Sequence, residues 1–266
     1  MLGANEAGTR SPSGREDRLS SRAELFRLFL AEKHDPVPFY QRLASRSVAE
    51  LPFHLAGAHV LDLGCGPAHY SAALRAAGAR VVGVDLDEDE LRTPAAAVGT
   101  AVASDATRLP FPDCAFDGVF SSNMLEHTPD PAGVFAEVER VLRPGGWAWV
   151  SWTNWYSPWG GHEIVPLHYL GPRLGLAAWR KLKGEPRKNV PFEGLWPTHI
   201  GPVLAAVKAR PGLRLVHAVP RYYPSQRWIL GIPVLRELLT WNCLLLLERR
   251  GPVSAPSRPP TAPAQS

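Results

Sequence analysis

A short apolar run, Val60-Leu61-Asp62-Leu63, passes directly into Gly64-Cys65-Gly66-Pro67 and then into a helical pattern. A strand that ends in a glycine turn and feeds a helix is the opening unit of a doubly wound α/β sheet. Ligands of such sheets bind outside the carboxyl ends of the strands. Gly64 and Gly66 permit positive φ and let a ligand approach backbone N–H groups closely. The same pattern repeats downstream. Apolar runs at Arg80–Val84, Thr100–Ala103 and Phe116–Ser121 lead into Asp85, Asp105 and Asn123. One polar residue at a strand end means little. Asp62, Asp85, Asp105 and Asn123 in register, with the glycine turn after the first, point to a ligand.

Helical patterns separate these runs. One spans Tyr70–Ala77 and closes at Gly78, a C-terminal cap. Another, Pro131–Leu142, carries Val134, Phe135, Val138, Val141 and Leu142 on one face. Arg143-Pro144-Gly145-Gly146 then turns the chain into a fifth strand, Trp147–Thr153. This alternation of strand and helix predicts a parallel sheet covered on both sides. Upstream, Leu25, Phe26, Phe29 and Leu30 recur at helical spacing from Ser21. A second helical pattern with Phe39, Tyr40, Leu43 and Val48 ends near Pro52. After Thr153 the periodicity dissolves until about residue 200. It returns with a helix at Val203–Ala209 and strands at Leu213–Pro220 and Trp241–Glu248. We therefore expect one domain over 21–250 with an insertion at about 154–200. Residues 1–20 and 251–266, rich in Ser, Gly and Arg or in Pro, Ser and Ala, are expected to be disordered.

The net charge of +4 is modest, and no basic stripe is interleaved with aromatics, so no nucleic-acid partner is expected. Basic residues gather at Arg180–Lys188 and Arg249–Arg250, as a solvated face or as a contact for an anionic surface. No apolar run approaches the roughly 20 residues of a membrane span. The segment Met1 to Arg10 does not read as a secretory signal. Cys65, Cys114 and Cys243 are scattered and odd in number, which favours a reducing, cytoplasmic setting.

A dinucleotide fingerprint would need a third glycine three residues after Gly66, where His69 stands. Asp85 at the end of the second strand can accept hydrogen bonds from both hydroxyls of a ribose. The set of motifs is more specific than either feature. Val60–Gly66 closely resembles the first motif of class I S-adenosylmethionine (SAM)-dependent methyltransferases, and Val84-Asp85 resembles the second. Ser104-Asp105-Ala106-Thr107-Arg108-Leu109-Pro110-Phe111 resembles the adenine-binding segment of their small-molecule branch, the methyltransferase type 11-like proteins. Ser121-Ser122-Asn123-Met124-Leu125-Glu126-His127 and Leu142–Gly146 resemble that branch's fourth-strand motif and its turn into strand five. The likeness covers Val60 to Thr153 well.

The resemblance implies a Rossmann-like, seven-stranded, mostly parallel sheet sandwiched by helices, with the last strand, Trp241–Glu248, antiparallel. It implies SAM as cofactor and S-adenosylhomocysteine as product. Gly64, Cys65 and Gly66 would border the methionine part, and Asp62 would hold its amino group. Asp85, followed by Leu86, would take the ribose. Asp105 and the Ala106 N–H would face the adenine, and Asn123 would lie beside the methionine end. A hydroxyl or carbon acceptor also needs a base near its proton; His127 is the best-placed candidate, with Glu126 beside it. The family often has glycine where this chain has Ala68. Pro67 before it suggests that a helix begins there, where alanine fits.

The acceptor is less legible. Trp152, Trp155, Tyr156 and Trp159, followed by His162, Glu163, His168 and Tyr169, either wall an acceptor pocket or form a satellite core under a lid. Tyr222, Tyr223 and the apolar residues Trp228, Ile229, Leu230, Ile232 and Leu235 either pack into the core, complete the pocket or touch a membrane surface. Phe39 and Tyr40 either close over SAM or pack between helices. His162 and His168 lack helical metal-ligand spacing and no cysteine accompanies them, so no metal is expected. The expected function is SAM-dependent methylation of a small-molecule or lipid-like acceptor. The alternatives are a non-catalytic SAM-binding protein and a nucleotide-binding oxidoreductase.

Overall fold

A computed structural model describes residues 35–92 and 99–251, with positions 24, 27, 28 and 31. The two expected disordered termini, and most of the helix expected over Leu25–Leu30, lie outside the described residues. In chain order the elements are α1 (Pro36–Ala49), β1 (His59–Leu63), α2 (His69–Ala76), β2 (Arg80–Asp85), α3 (Glu88–Leu91), β3 (Thr100–Ala103) and β4 (Phe116–Ser122). Then come α4 (Pro131–Val141), β5 (Leu142–Thr153), α5 (Pro172–Lys183), α6 (Ile200–Lys208), β6 (Leu213–Pro220), α7 (Pro233–Leu239) and β7 (Asn242–Arg249).

The seven strands form one sheet in the order β3-β2-β1-β4-β5-β7-β6. β1 to β5 pair in parallel. β7 runs antiparallel to both β5 and β6. β1 is buried along Val60–Leu63 because it is central and covered on both faces. On one face Val134, Phe135, Val138 and Val141 of α4 pack with Ile200, Val203 and Val207 of α6 against Leu61, Leu63 and Val150. On the other, Val48, Leu55 and Leu74 pack against Val60, Phe120 and Trp149. Among the described residues no helix is long and apolar enough to cross a membrane.

Three local expectations are corrected. The helix after the glycine turn does not begin at Ala68. That residue has φ 63 and caps α2, which starts at His69. The position does require positive φ, and alanine there costs roughly 1 kcal/mol relative to glycine. Leu142 leaves its helix and opens β5, pairing with Phe116. The stretch after Thr153 is not patternless either. It contains α5, twelve residues entered at Pro172 and stopped at Gly184, with Arg180, Lys181 and Lys183 in its last turn.

The insertion builds its own small core from Trp155, Ile164, Leu176 and Leu195. Trp152 joins the main core. Of the two readings of the tryptophans, the satellite core holds for Trp155, while Trp159 and Tyr169 stay exposed. Thr198 accepts the Trp155 N–H, and Glu126 accepts the Trp196 N–H through its backbone carbonyl, so the lid is tied to the strand ends. The segment before β7 divides: Ile229 and Leu230 are buried, whereas Trp228 and Ile232 are exposed. Core packing is therefore only part of its role. Tyr40 stacks on His69, at the start of α2, with ring centroids 6.1 Å apart.

Candidate active site

The order of the sheet reverses between β1, which leads outward to β2 and β3, and β4, which leads to β5. In sheets of this kind the crevice at that switch, beyond the carboxyl ends, is where ligands bind. Six of the residues singled out in the sequence, Asp62, Gly64, Cys65, Gly66, Asp85 and Leu86, stand at the first two strand ends. Gly64 and Cys65 donate their N–H groups to the Val84 carbonyl, at 2.8 and 3.0 Å, which folds the turn back onto β2. Gly64 has φ +77, and a Cβ there would stand 2.4 Å from Cγ of Met124. Gly66 has φ +48, but a Cβ there would meet no atom within 4 Å. The first glycine is thus demanded by the protein's own packing. The second leaves open space beside the backbone.

Asp85 holds the turn. Its Oδ2 accepts the Gly66 N–H at 2.7 Å and its Oδ1 accepts the Asp87 N–H at 3.0 Å. A carboxylate has about four lone-pair sites, so two remain for a ligand. The next side chain, Leu86, is 72% exposed, an apolar surface uncovered beside that carboxylate. Asp62 is fully buried beneath the turn and accepts a hydrogen bond from Ser71 Oγ at 2.7 Å. Burial pushes its pKa up to about 6, against the lowering effect of the Ser71 hydrogen bond. Cys65 is buried with its sulfur against Gly83. Burial raises its thiol pKa strongly, so it is a neutral packing group.

On the next loop Asp105 Oδ1 accepts both the N–H and the hydroxyl of Thr107, each at 2.8 Å. It caps its own loop, and the residue is exposed. Ala106 is half-buried against the core. Past β4, Asn123 has φ 55, a left-handed conformation that asparagine tolerates well. Its N–H donates to the Ser151 carbonyl and its Oδ1 accepts from Asn242 Nδ2, both at 2.8 Å. The turn Leu125–His127 follows. Glu126 is buried, its Oε1 accepting the Thr153 N–H at 3.0 Å while Oε2 has no hydrogen-bond partner among the described residues. Burial raises its carboxyl pKa. His127 Nδ1 lies 2.7 Å from the Gly194 carbonyl of the lid, so Nδ1 carries the proton and Nε2 the lone pair. Across from it stands His162, with ring centroids 5.3 Å apart.

Comparison with known proteins decides the family. The methyltransferase-domain family model matches residues 61–150. An uncharacterized methyltransferase of Mycobacterium marinum is 36% identical over 260 residues, covering 88% of this chain and 98% of its own. One from Mycobacterium avium is 37% identical over 247 residues, covering 88% and 97%. The crystal structure of an S-adenosylmethionine-dependent methyltransferase from Mesorhizobium loti is similar with a TM-score of 0.55 and 26% identity, over 79% of this chain and 98% of that one. The chain belongs to the SAM-dependent methyltransferases.

This methyltransferase also holds polar residues near the strand ends that sequence reading missed. Arg221, just past β6, reaches Ser122 and Ser151 at the ends of β4 and β5 with Nη1, at 3.0 and 3.1 Å. Its Nη2 reaches Ser47 of α1 and Tyr70 of α2, both at 3.0 Å. Its guanidinium lies over the Trp149 ring, 4.8 Å from the centroid. No local pattern announces such a residue, because its partners come from four separate elements. The other omission is the approach of His162 to Glu126 and His127. Glu163 beside it has a structural task, accepting the Arg187 and Lys188 N–H groups. His168 is buried against Trp155 and bonded to the Ser157 carbonyl.

Proposed function

We propose that this methyltransferase acts on a small, lipid-like acceptor that enters between the lid and the β6–β7 segment. The observation that carries this reading is the meeting of exposed Trp159 of the lid with exposed Trp241 before β7, beside other exposed apolar side chains on both segments. Leu174 and Leu182 of α5 and Val234 of α7 are each more than 60% exposed. Trp159 of the lid meets Trp241 edge to face at 4.9 Å, joining the two segments. Large apolar side chains left exposed next to one another, as Trp159 and Trp241 are, mark interaction sites when they are grouped. Arg180, Lys181 and Lys183 at the end of α5 would favour an anionic lipid surface nearby. The unpaired state of all three cysteines agrees with a cytoplasmic setting. The test is transfer of labelled methyl groups from SAM into fractionated cell extract. Label is expected in the organic-soluble fraction. Label in protein or nucleic acid instead would overturn the acceptor class.

The cofactor suits the crevice. Space beside Gly66 would admit the methionine part, with Gly64 and Cys65 below it and Asn123 alongside. Asp85 would accept the ribose hydroxyls and Leu86 would cover the sugar or the base. Asp105 Oδ2 and the Ala106 N–H would receive the adenine. SAM supplies a sulfonium-bound methyl group and remains as S-adenosylhomocysteine. The chain's own contribution is to orient the acceptor, exclude water under the lid and act on the acceptor proton. His127 is the residue we assign to that last task, through Nε2.

Asp85→Ala should weaken SAM binding at least about tenfold, since hydrogen bonds to a charged group contribute roughly 1.5–3 kcal/mol each. Unchanged affinity in titration calorimetry would remove Asp85 from the site. Asp62 makes binding depend on pH. Its free-protein pKa is about 6, and a ligand ammonium favours the ionised form, which lowers that pKa in the complex. Only the ionised form binds well, so affinity is full above pH 6 and falls as pH drops through it. Between pH 7 and pH 5 the loss should be about tenfold, with a proton released on binding near pH 6. Asp62→Asn should flatten the profile. A flat profile in the wild type would mean that Asp62 serves Ser71 and the turn alone.

A further inference from the structure

We propose that Glu126, His127 and His162 form a binding site for one divalent cation of the borderline kind, Zn²⁺ or Fe²⁺, at the mouth of the methyl-transfer site. One ligand atom from each lies within 4.8 Å of the other two. A point within about 2.8 Å of all three therefore exists, against metal–ligand distances of about 2.0–2.2 Å. Side-chain rotations of well under 1 Å close that gap.

His127 and Glu126 already have the hydrogen bonding expected of ligands. Ligating histidines donate their second ring N–H to a carbonyl or carboxylate, which fixes the ring and leaves the other nitrogen for the metal. His127 does this through Nδ1 to Gly194. Glu126 is held by the Thr153 N–H on one oxygen, while the other, buried oxygen has no hydrogen-bond partner among the described residues. His162 Nε2 is likewise buried without a partner. Two orphaned polar atoms in one cluster are costly, about 1–3 kcal/mol each, and a shared cation would satisfy both. The backbone adds an independent observation. His162 has φ +48, the left-handed region, which few non-glycine residues adopt. Backbone conformations of this kind persist where the surrounding structure imposes them and cluster at functional sites.

Two imidazoles and one carboxylate are the donor set of catalytic metal sites that keep positions open for substrate. The ligands come from the turn after β4 and from the lid, so an ion would clamp the lid shut. Met124, two residues before Glu126, stands against Gly64 of the cofactor turn. This ion is thus next to the proposed methionine end, where its open positions would take an oxygen or nitrogen of the acceptor. That assignment rests on the methyl-transfer reading above; the cation site itself does not. The base role assigned to His127 above belongs to the ion-free protein; with the ion bound, its Nε2 is a ligand.

The test is titration of chelator-treated full-length protein with Co²⁺, followed by its visible absorption, in the absence of SAM. One equivalent should bind and give ligand-field bands, displaceable by Zn²⁺. His162→Asn tolerates the left-handed backbone, so it should keep or raise thermal stability while weakening Co²⁺ at least about tenfold. SAM affinity in that variant should stay within twofold. Absence of stoichiometric Co²⁺ binding overturns the proposal, and so does Co²⁺ affinity unchanged by His162→Asn. Failure to bind SAM by the same preparation, with Co²⁺ binding intact, would instead overturn the cofactor reading.

Discussion

Gly66→Ala is expected to weaken SAM binding about a hundredfold or more while lowering the melting temperature by only about 2–4 °C. The two halves of that expectation have different causes. A Cβ at residue 66 meets no protein atom within 4 Å, so packing is untouched. The stability cost is the positive φ alone, about 1 kcal/mol, which is about 2–4 °C in a chain of this size. Ala68, at φ 63, shows that this loop already carries an alanine in such a conformation. The methyl group would project into the space assigned to the cofactor. Losing about 2.7 kcal/mol of binding there is a hundredfold. Gly64→Ala is the control. Its Cβ falls 2.4 Å from Met124 Cγ, so stability should drop together with binding. Measuring SAM affinity by calorimetry and unfolding by differential scanning separates the two. If Gly66→Ala binds SAM as the wild type does, the space beside Gly66 is not the cofactor's.

Arg221→Ala should destabilise the fold by about 3–4 kcal/mol. Two effects oppose each other here. None of the four hydrogen-bond partners of the guanidinium is a carboxylate, Glu126 acting on it only through space, so the partly buried cation bears a desolvation cost. Against that, its four hydrogen bonds go to Ser47, Tyr70, Ser122 and Ser151, and its face covers Trp149. Truncation removes these, leaves a cavity and strands buried hydroxyls at about 1–3 kcal/mol apiece before they re-pair. The second set wins because several groups are orphaned at once. Thermal or urea unfolding of the variant checks this. A change under about 0.5 kcal/mol would mean that desolvation cancels the bonds.

What was legible in the sequence follows from the range of the interactions. The strands β1 to β5 announce themselves because each is an apolar run bounded by a turn, and all but the edge strand β3 carry buried residues. The family motifs lie on those strand ends, so SAM-dependent methyl transfer could be read before any coordinates. Ala68 misled because the proline before it suits a helix start, whereas backbone demands of the glycine turn decide its φ. The helix α5 was hidden because its apolar face is small, Leu176 and Trp179 one turn apart against the lid core, and is blurred by the exposed Leu174 and Leu182 beside it. Arg221 and the meeting of His162 with Glu126 and His127 are tertiary facts. Their partners are far apart in the chain, and no local spacing encodes them.

The central claim is that the crevice at the ends of β1 and β2 binds SAM. Its most direct test is calorimetric titration of the purified protein with SAM, S-adenosylhomocysteine and NADH. One site of micromolar affinity for each sulfur ligand, and none for NADH, is the result expected. Binding of NADH without either sulfur ligand, or no binding of SAM in any state of the lid, would contradict the account.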